Sequence, residues 1–216
     1  PKLGRFLQVD PIEREDDLNL YVYAAAEPIS RFDKDGQRVV MASGATKAQR
    51  AAYWKTVAYM SKSATFSKQF QTVAQSRTTV TVEFTNQQSS YQSESNTLYY
   101  NAKEGVLLDD GSIQSPALGF GHEIGHAARH LTDPEGYAAE NNPTESEVDM
   151  QSQEGTLPEI TVTWGTTPED ERVMKIESEM AGELGEPQRA THNEGTYVPV
   201  ESPTYSCVAG ESKPCK

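Results

Sequence analysis

The sequence predicts an α+β fold, in which runs of helix and runs of short strand follow one another. Good helix formers and helically spaced apolar side chains fill 45–60 and 168–184. β-Branched residues alternate with other residues over 79–84, as in a half-buried strand. Residues that favour turns separate most of these runs. Together these patterns favour a small sheet flanked by helices.

The first half of the chain is predicted to change from helix to strand. We predict that 38–75 is helical, with a break between Ser61 and Ser67. Three short strands are then predicted to be joined by hairpins and to pair antiparallel: 79–84, 97–101 and 105–109. The polar stretch 86–96 is predicted to be a loop.

The second half is predicted to carry two helices separated by a long loop. The expected elements are a helix over 115–130, a loop over 132–167 with a strand at 160–164, and a helix within 168–189. Thr167 is a good N-cap for the last helix, and Gly185 is expected to end it.

Composition narrows the possible classes of partner. The chain has 216 residues and a formal net charge of −13, which disfavours nucleic acids and anionic membranes as partners. No run approaches the ~20 apolar residues of a membrane span. The first residue is proline rather than methionine, so we expect the sequence to be a fragment of a longer chain or a processed product. Cys207 and Cys215 are expected to be free thiols or a small terminal disulfide loop.

Residues 122–126 read His-Glu-Ile-Gly-His, the HExxH pattern of zinc metallopeptidases. Residues four apart lie on one face of a helix, so His122 and His126 can point two imidazoles at one Zn²⁺. Glu123 is then placed to act as general base on a zinc-activated water. The pattern therefore predicts a zinc-dependent hydrolase.

The third zinc ligand is predicted to lie downstream of the motif. His130 shares the face of the motif, but on a straight helix it lies ~12 Å from His122, which is too far for both to bind one zinc with bonds of ~2 Å. A carboxylate on the last helix is the natural alternative. The candidates from the sequence are Glu169, Asp170, Glu171 and Glu177.

The last helix resembles the distal motif of HExxH effector peptidases and polymorphic toxins of bacteria. The stretch PEDERVMKIESEMAGELGEPQR matches an acidic pair, then an EN pair, then LGxPxR. Asp170 and Ser178 depart from that pattern. The resemblance implies a metal ligand in the acidic pair, with Glu169 first and Asp170 second. It also implies a zincin-like domain over 38–198, in which a small sheet packs against the HExxH helix and its edge pairs with an extended peptide.

Two residues after this motif are candidates for a further catalytic role. His192 and Tyr197 are polar groups that can fold back on the site. A zinc peptidase needs a hydrogen-bond donor for the oxyanion that forms when water attacks the peptide carbonyl. We therefore predict that His192 or Tyr197 supplies this donor, and that 199–216 is a polar tail.

The first segment, 1–37, resembles the core-associated region of bacterial RHS/YD-repeat proteins. The similar stretches are GRFLQVDPI and DLNLYVYAAAEPISRFDKDG. In that family the segment closes a β-cocoon, contains an aspartyl autoprotease and precedes a toxin domain. Asp10 and Asp33 match the autoprotease positions, whereas Glu13 replaces a glycine and Lys34 a proline of the family pattern.

These resemblances imply a secreted zinc endopeptidase that a bacterial secretion system delivers into a target cell. The implied partners are a protein substrate in that cell, a cognate immunity protein and the N-terminal RHS cocoon of the parent chain. The alternative is an inactive zinc-binding or protein-interaction module of an RHS-type protein.

Overall fold

The computed structural model describes residues 39–141 and 167–208. The chain divides after Gln37, and all described residues belong to the unit Arg38–Lys216. Some sequence predictions fall outside the described residues: the whole segment 1–37 with Asp10 and Asp33, the strand at 160–164, and Cys215.

The described residues contain five helices and seven short strands. The helices are α1 (Lys47–Met60), α2 (Ala64–Gln75), α3 (Pro116–Thr132), α4 (Pro134–Glu140) and α5 (Pro168–Leu184). The strands are β1 (Val39–Met41), β2 (Val80–Phe84), β3 (Ser90–Gln92), β4 (Thr97–Tyr100), β5 (Glu104–Leu107), β6 (Ile113–Gln114) and β7 (Thr196–Pro199). They form one sheet in the order β1-β2-β4-β3 and a second in the order β6-β5-β7.

The predicted antiparallel order of three hairpin-linked strands is wrong. β2 pairs with β4 in parallel, with Val82 opposite Leu98, and β5 belongs to the second sheet. The reason lies in the stretch predicted to be a loop. That stretch contains β3. After β3 the chain turns back through Asn96, which is in a left-handed conformation (φ 51°), and β3 therefore pairs antiparallel with β4. β3 thus leaves the other side of β4 to β2.

Two further predictions of secondary structure are corrected. Residues 39–41, predicted to be helical, form β1, which pairs in parallel with β2 through Val39 and Val80. The start of the predicted long loop forms α4, because Asp133 caps it by accepting a hydrogen bond from the backbone N–H of Gly136 (2.9 Å). The break predicted near Ser61 is confirmed, since α1 ends at Met60 and Ser63 caps α2.

Phe120 of α3 lies at the centre of the hydrophobic core. Its ring centroid is 5.1 Å from that of Tyr100 in β4, 5.9 Å from Tyr53 in α1 and 6.3 Å from Phe66 in α2. Phe120 and Ile124 are fully buried. The helix that carries the HExxH motif is therefore fixed by the sheet and by two other helices.

The two glycines inside the motif helix allow close packing. A Cβ atom on Gly121 would lie 2.6 Å from Cε of Met60 and 3.0 Å from Sδ of Met180, and one on Gly125 would lie 3.1 Å from Cγ1 of Val173. Because Met180 and Val173 belong to α5, the missing side chains bring α5 close to α3. That approach lets side chains of α5 reach the histidines.

Residues 200–208, part of the predicted polar tail, pack against the unit. The backbone N–H of Ala117 donates to the carbonyl of Pro203 (2.8 Å), and Ile113 forms an antiparallel bridge with Cys207. Cys207 is in a disulfide bond, which excludes the free-thiol alternative for this residue.

Among the described residues, no helix is both long and apolar enough to cross a membrane.

Candidate metal centre

The two motif histidines face each other inside the protein. Nε2 of His122 lies 3.1 Å from Nε2 of His126, one turn further along α3. His122 is 1% exposed and His126 is 8% exposed. Two nitrogens bonded to one tetrahedral zinc at ~2.0–2.1 Å lie about 3.3 Å apart, so the observed separation is close to that of two ligands of one ion.

Each motif histidine is held at its other ring nitrogen by a glutamate of α5. Nδ1 of His122 is 2.8 Å from Oε2 of Glu177, and Nδ1 of His126 is 3.3 Å from Oε1 of Glu169. An imidazole that donates its Nδ1–H to a carboxylate keeps its lone pair on Nε2. The two lone pairs therefore converge between the rings, an arrangement that suits a shared cation.

Glu177 is fully buried, and it has more hydrogen-bond partners than Glu169 or Asp170. Arg189 donates to both of its oxygens, from Nε (2.8 Å) and from a terminal nitrogen (2.7 Å), and Gln114 donates from Nε2 (3.2 Å). Burial raises the pKa of Glu177, but the hydrogen bonds from His122 and Arg189 outweigh it and hold the pKa far below its usual range. Glu177 is thus ionised and can orient His122.

Glu169 is also fully buried but has fewer hydrogen bonds than Glu177. Its Oε2 has no hydrogen-bond partner and lies 3.9 Å from Nε of Arg129 and 3.5 Å from Nε of Arg172. Burial lowers the pKa of His126, yet the hydrogen bond to Glu169 and the nearby carboxylates outweigh this effect and raise it. The predicted metal ligand Glu169 thus lies on the Nδ1 side of His126, away from the convergent Nε2 atoms.

A third histidine joins the pair. His122, His126 and His192 can each offer a ring nitrogen, and these nitrogens all lie within 4.8 Å of one another. His192 follows α5 on the connection to β7, and its ring centroid is 5.1 Å from that of His122. Burial and the neighbouring His122 lower the pKa of His192. The sequence predicted His192 near the site as a donor to the oxyanion, whereas its position suits a metal ligand.

Asp170 lies at the edge of this cluster. Its Oδ1 is 3.9 Å from Nε2 of His126 and 4.0 Å from Nε2 of His192. Its Oδ2 accepts the backbone N–H of Thr167 (2.9 Å), which completes the capping box of α5. Of the two predicted acidic ligands, Asp170 is therefore the one that faces Nε2 atoms.

The other predicted catalytic residues line a cleft beside the histidines. Glu123 is 8% exposed, and Tyr197, on the edge strand β7, is 40% exposed. Burial raises the pKa of Tyr197, so its hydroxyl stays protonated and can donate a hydrogen bond. Glu104 of β5 and Ser89, just before β3, add side chains to the lining, and Gly119 of α3 adds its backbone.

His130 points away from the cluster. Its Nδ1 is 2.9 Å from the hydroxyl of Tyr91 on β3. This contact joins the end of the motif helix to the edge of the first sheet.

Sequence reasoning named Glu169 and Glu177 only as candidate metal ligands and did not predict that they hold the Nδ1 atoms of the histidines. One signal was present: Glu169 and Glu177 are eight residues apart, twice the spacing of His122 and His126, so both lie on one face of α5. Nothing in the sequence indicates that Arg189 and Gln114 meet at Glu177, because that contact depends on how the segment after α5 folds.

Comparisons with protein-family models, with curated proteins and with solved structures found no match to this chain.

Proposed function

We propose that this chain is a zinc-dependent endopeptidase whose metal is held by His122, His126 and His192. The observation that carries the proposal is the convergence of three ring nitrogens within 4.8 Å, with both motif histidines oriented at Nδ1 by carboxylates. Nitrogen-rich sets of three ligands with one open position are typical of catalytic zinc.

In this proposal the glutamates of α5 orient ligands. Glu177 and Glu169 fix the ring planes and tautomers of the two motif histidines, as carboxylates commonly do behind metal-bound imidazoles. Asp170 faces the same side as the ligand nitrogens and is the alternative to His192 as third ligand.

The chemistry requires a base and an oxyanion donor beside the metal. When bound, zinc supplies Lewis acidity, which lowers the pKa of water and polarises a carbonyl. Glu123 takes the proton of the attacking water and passes it to the leaving amine as the peptide C–N bond breaks. Tyr197 lines the same cleft and donates its O–H to the oxyanion.

The test combines zinc analysis with proteolysis. We expect about one zinc per purified chain, and cleavage of a peptide library that Glu123→Gln abolishes without loss of zinc. The control is Glu135→Gln, the same substitution at an exposed residue of α4, which should leave both unchanged. Zinc without cleavage would leave the inactive zinc-binding module as the function. A chain that binds no zinc would rule out both the zinc endopeptidase and the inactive zinc-binding module.

We also propose that the peptidase is an effector that a bacterial secretion system delivers into a target cell, where it cleaves a protein of that cell. The support is the resemblance of 1–37 to the RHS core-associated segment, which also implies a cognate immunity protein. Expression in a bacterial cytoplasm should slow growth, and Glu123→Ala should relieve it. Equal growth of both strains would contradict a bacterial cytoplasmic target.

A further inference from the structure

We propose that Arg189 is a positioning residue that couples two of the three proposed metal ligands. This inference rests on the proposed function. Arg189 is 8% exposed and lies five residues after α5. Its guanidinium contacts the partner of one ligand and the backbone of another, so its loss should weaken metal binding although it touches no metal itself.

The guanidinium directs its donors two ways. Nε and one terminal nitrogen bind Oε1 and Oε2 of Glu177 at 2.8 and 2.7 Å, and the other terminal nitrogen donates to the carbonyl of His192 at 2.8 Å. Glu177 in turn holds Nδ1 of His122 at 2.8 Å. One planar group therefore fixes the imidazole of His122 and the backbone of His192 relative to each other.

Lysine is not expected to replace this arginine. The fork of a guanidinium matches a carboxylate with two parallel hydrogen bonds and has a further donor for a third acceptor, whereas an ammonium is a point charge on a flexible chain. Arg189→Lys keeps the charge near Glu177 but cannot satisfy both carboxylate oxygens and the carbonyl of His192 with the same geometry. The proposal therefore concerns geometry as well as charge.

The segment around Arg189 has other anchors, so its overall fold should survive the substitution. Glu186 accepts hydrogen bonds from the backbone N–H (2.8 Å) and hydroxyl (2.7 Å) of Ser115, at the start of α3. The carbonyl of Pro187 accepts one from Gln114 (3.0 Å). These contacts keep the connection attached to the motif helix, whereas the position of His192 depends on Arg189.

The test measures zinc affinity of the full chain by competition with a chelator. Arg189→Ala and Arg189→Lys should each weaken zinc binding by about 10–100-fold, the range typical of partners behind metal ligands. Arg50→Ala is the matched control, because Arg50 is an exposed arginine of α1. Ethylguanidinium should restore zinc affinity to Arg189→Ala and have no effect on the wild type.

Two further measurements separate positioning from a general loss of structure. With Co²⁺ in place of zinc, Arg189→Lys should change the visible absorption bands, which report the ligand set, while its far-ultraviolet circular dichroism stays the same. In a Glu177→Gln background, Arg189→Ala should cost clearly less affinity than alone, because the shared carboxylate is gone.

The outcomes distinguish the two proposals. A wild-type chain without zinc would overturn the proposed function, and this inference with it. A wild-type chain that binds zinc, together with Arg189 variants of equal affinity and unchanged cobalt spectra, would overturn the inference alone. Loss of affinity in Arg189→Ala that ethylguanidinium does not restore, with an unchanged spectrum in Arg189→Lys, would assign Arg189 a purely structural role and also overturn it.

Discussion

The two glutamates that hold the motif histidines lie in unlike surroundings. Glu177 has donors on both oxygens, whereas Oε2 of Glu169 has no hydrogen-bond partner despite full burial. An unpaired buried oxygen is costly, because it has lost its water without gaining a donor. Arg129 and Arg172 lie 3.9 and 3.5 Å from that oxygen and offset its charge. The site therefore holds His122 more firmly than His126.

Replacement of each candidate ligand should identify the third one. His192→Ala is expected to weaken zinc binding by more than the about 10–100-fold that outer partners contribute. Glu169→Gln and Asp170→Asn should stay within that range. The measurement is chelator competition, with His130→Ala as control, because His130 contacts Tyr91 instead of the cluster.

The opposite ranking would restore the assignment made from the sequence. If Glu169→Gln abolished zinc binding while His192→Ala retained it, Glu169 would be the ligand, and its position beside Nδ1 of His126 would have to change when zinc binds. A dominant effect of Asp170→Asn would select the carboxylate that faces His126 and His192.

At the residue scale, the sequence predicted the meeting of the motif histidines because the i, i+4 spacing of a helix fixes it. Nε2 atoms 3.1 Å apart follow from four residues of helix. The position of His192 could not be predicted in the same way. It depends on a turn after Gly185, which adopts a left-handed conformation (φ 67°), and on the contact of Arg189 with Glu177.

At the element scale, helices were predicted better than strands. The caps Thr167 and Ser63 and the left-handed Gly185 are local signals, so the limits of α2 and α5 follow from nearby residues. Pairing between β2 and β4 depends on contacts between distant residues. A polar stretch such as 90–92 becomes a strand only because β4 offers it an edge.

Packing of α3 against α5 should be sensitive to one added methyl group. The Cβ added in Gly121→Ala would press on the ends of the buried Met60 and Met180 side chains, which costs about 1–3 kcal/mol. Helix propensity offsets about 1 kcal/mol of this cost, so Gly121→Ala is expected to lower the free energy of unfolding by up to about 2 kcal/mol. Gly119→Ala, on the same helix with no heavy atom within 4 Å of its Cβ, should instead raise it by up to about 1 kcal/mol through helix propensity. Denaturant unfolding with a chelator present measures both without a contribution from zinc.

Equal shifts in the two variants would contradict the packing argument. They would mean that α5 can move away from α3 at little cost, and the glutamates of α5 would then not be held rigidly against the histidines. If the packing is tight as described, Gly121→Ala should also weaken zinc binding, since Met180 lies three residues beyond Glu177 on α5.

At the scale of the molecule, the proposed ligands come from two parts of the chain that are distant in sequence. His122 and His126 lie on α3, and His192 lies between α5 and β7. The hydrogen bonds of Glu186 and Arg189 bring the second part onto the first. A metal bound by all three histidines would therefore link the core helix to the segment that leads into the second sheet.

Zinc should consequently stabilise the folded state and protect this segment. At a free concentration of 100 times Kd, one bound zinc contributes about 2.7 kcal/mol, which for a domain of this size raises Tm by about 5–11 °C. Differential scanning calorimetry measures the shift. Mg²⁺ at the same concentration should give no shift in Tm, because it prefers oxygen ligands.

Trypsin cleavage after Arg189, read by mass spectrometry, should slow when zinc binds, since local opening of the segment breaks a ligand contact. A Tm shift without such protection would mean that zinc binds but that His192 is not one of its ligands.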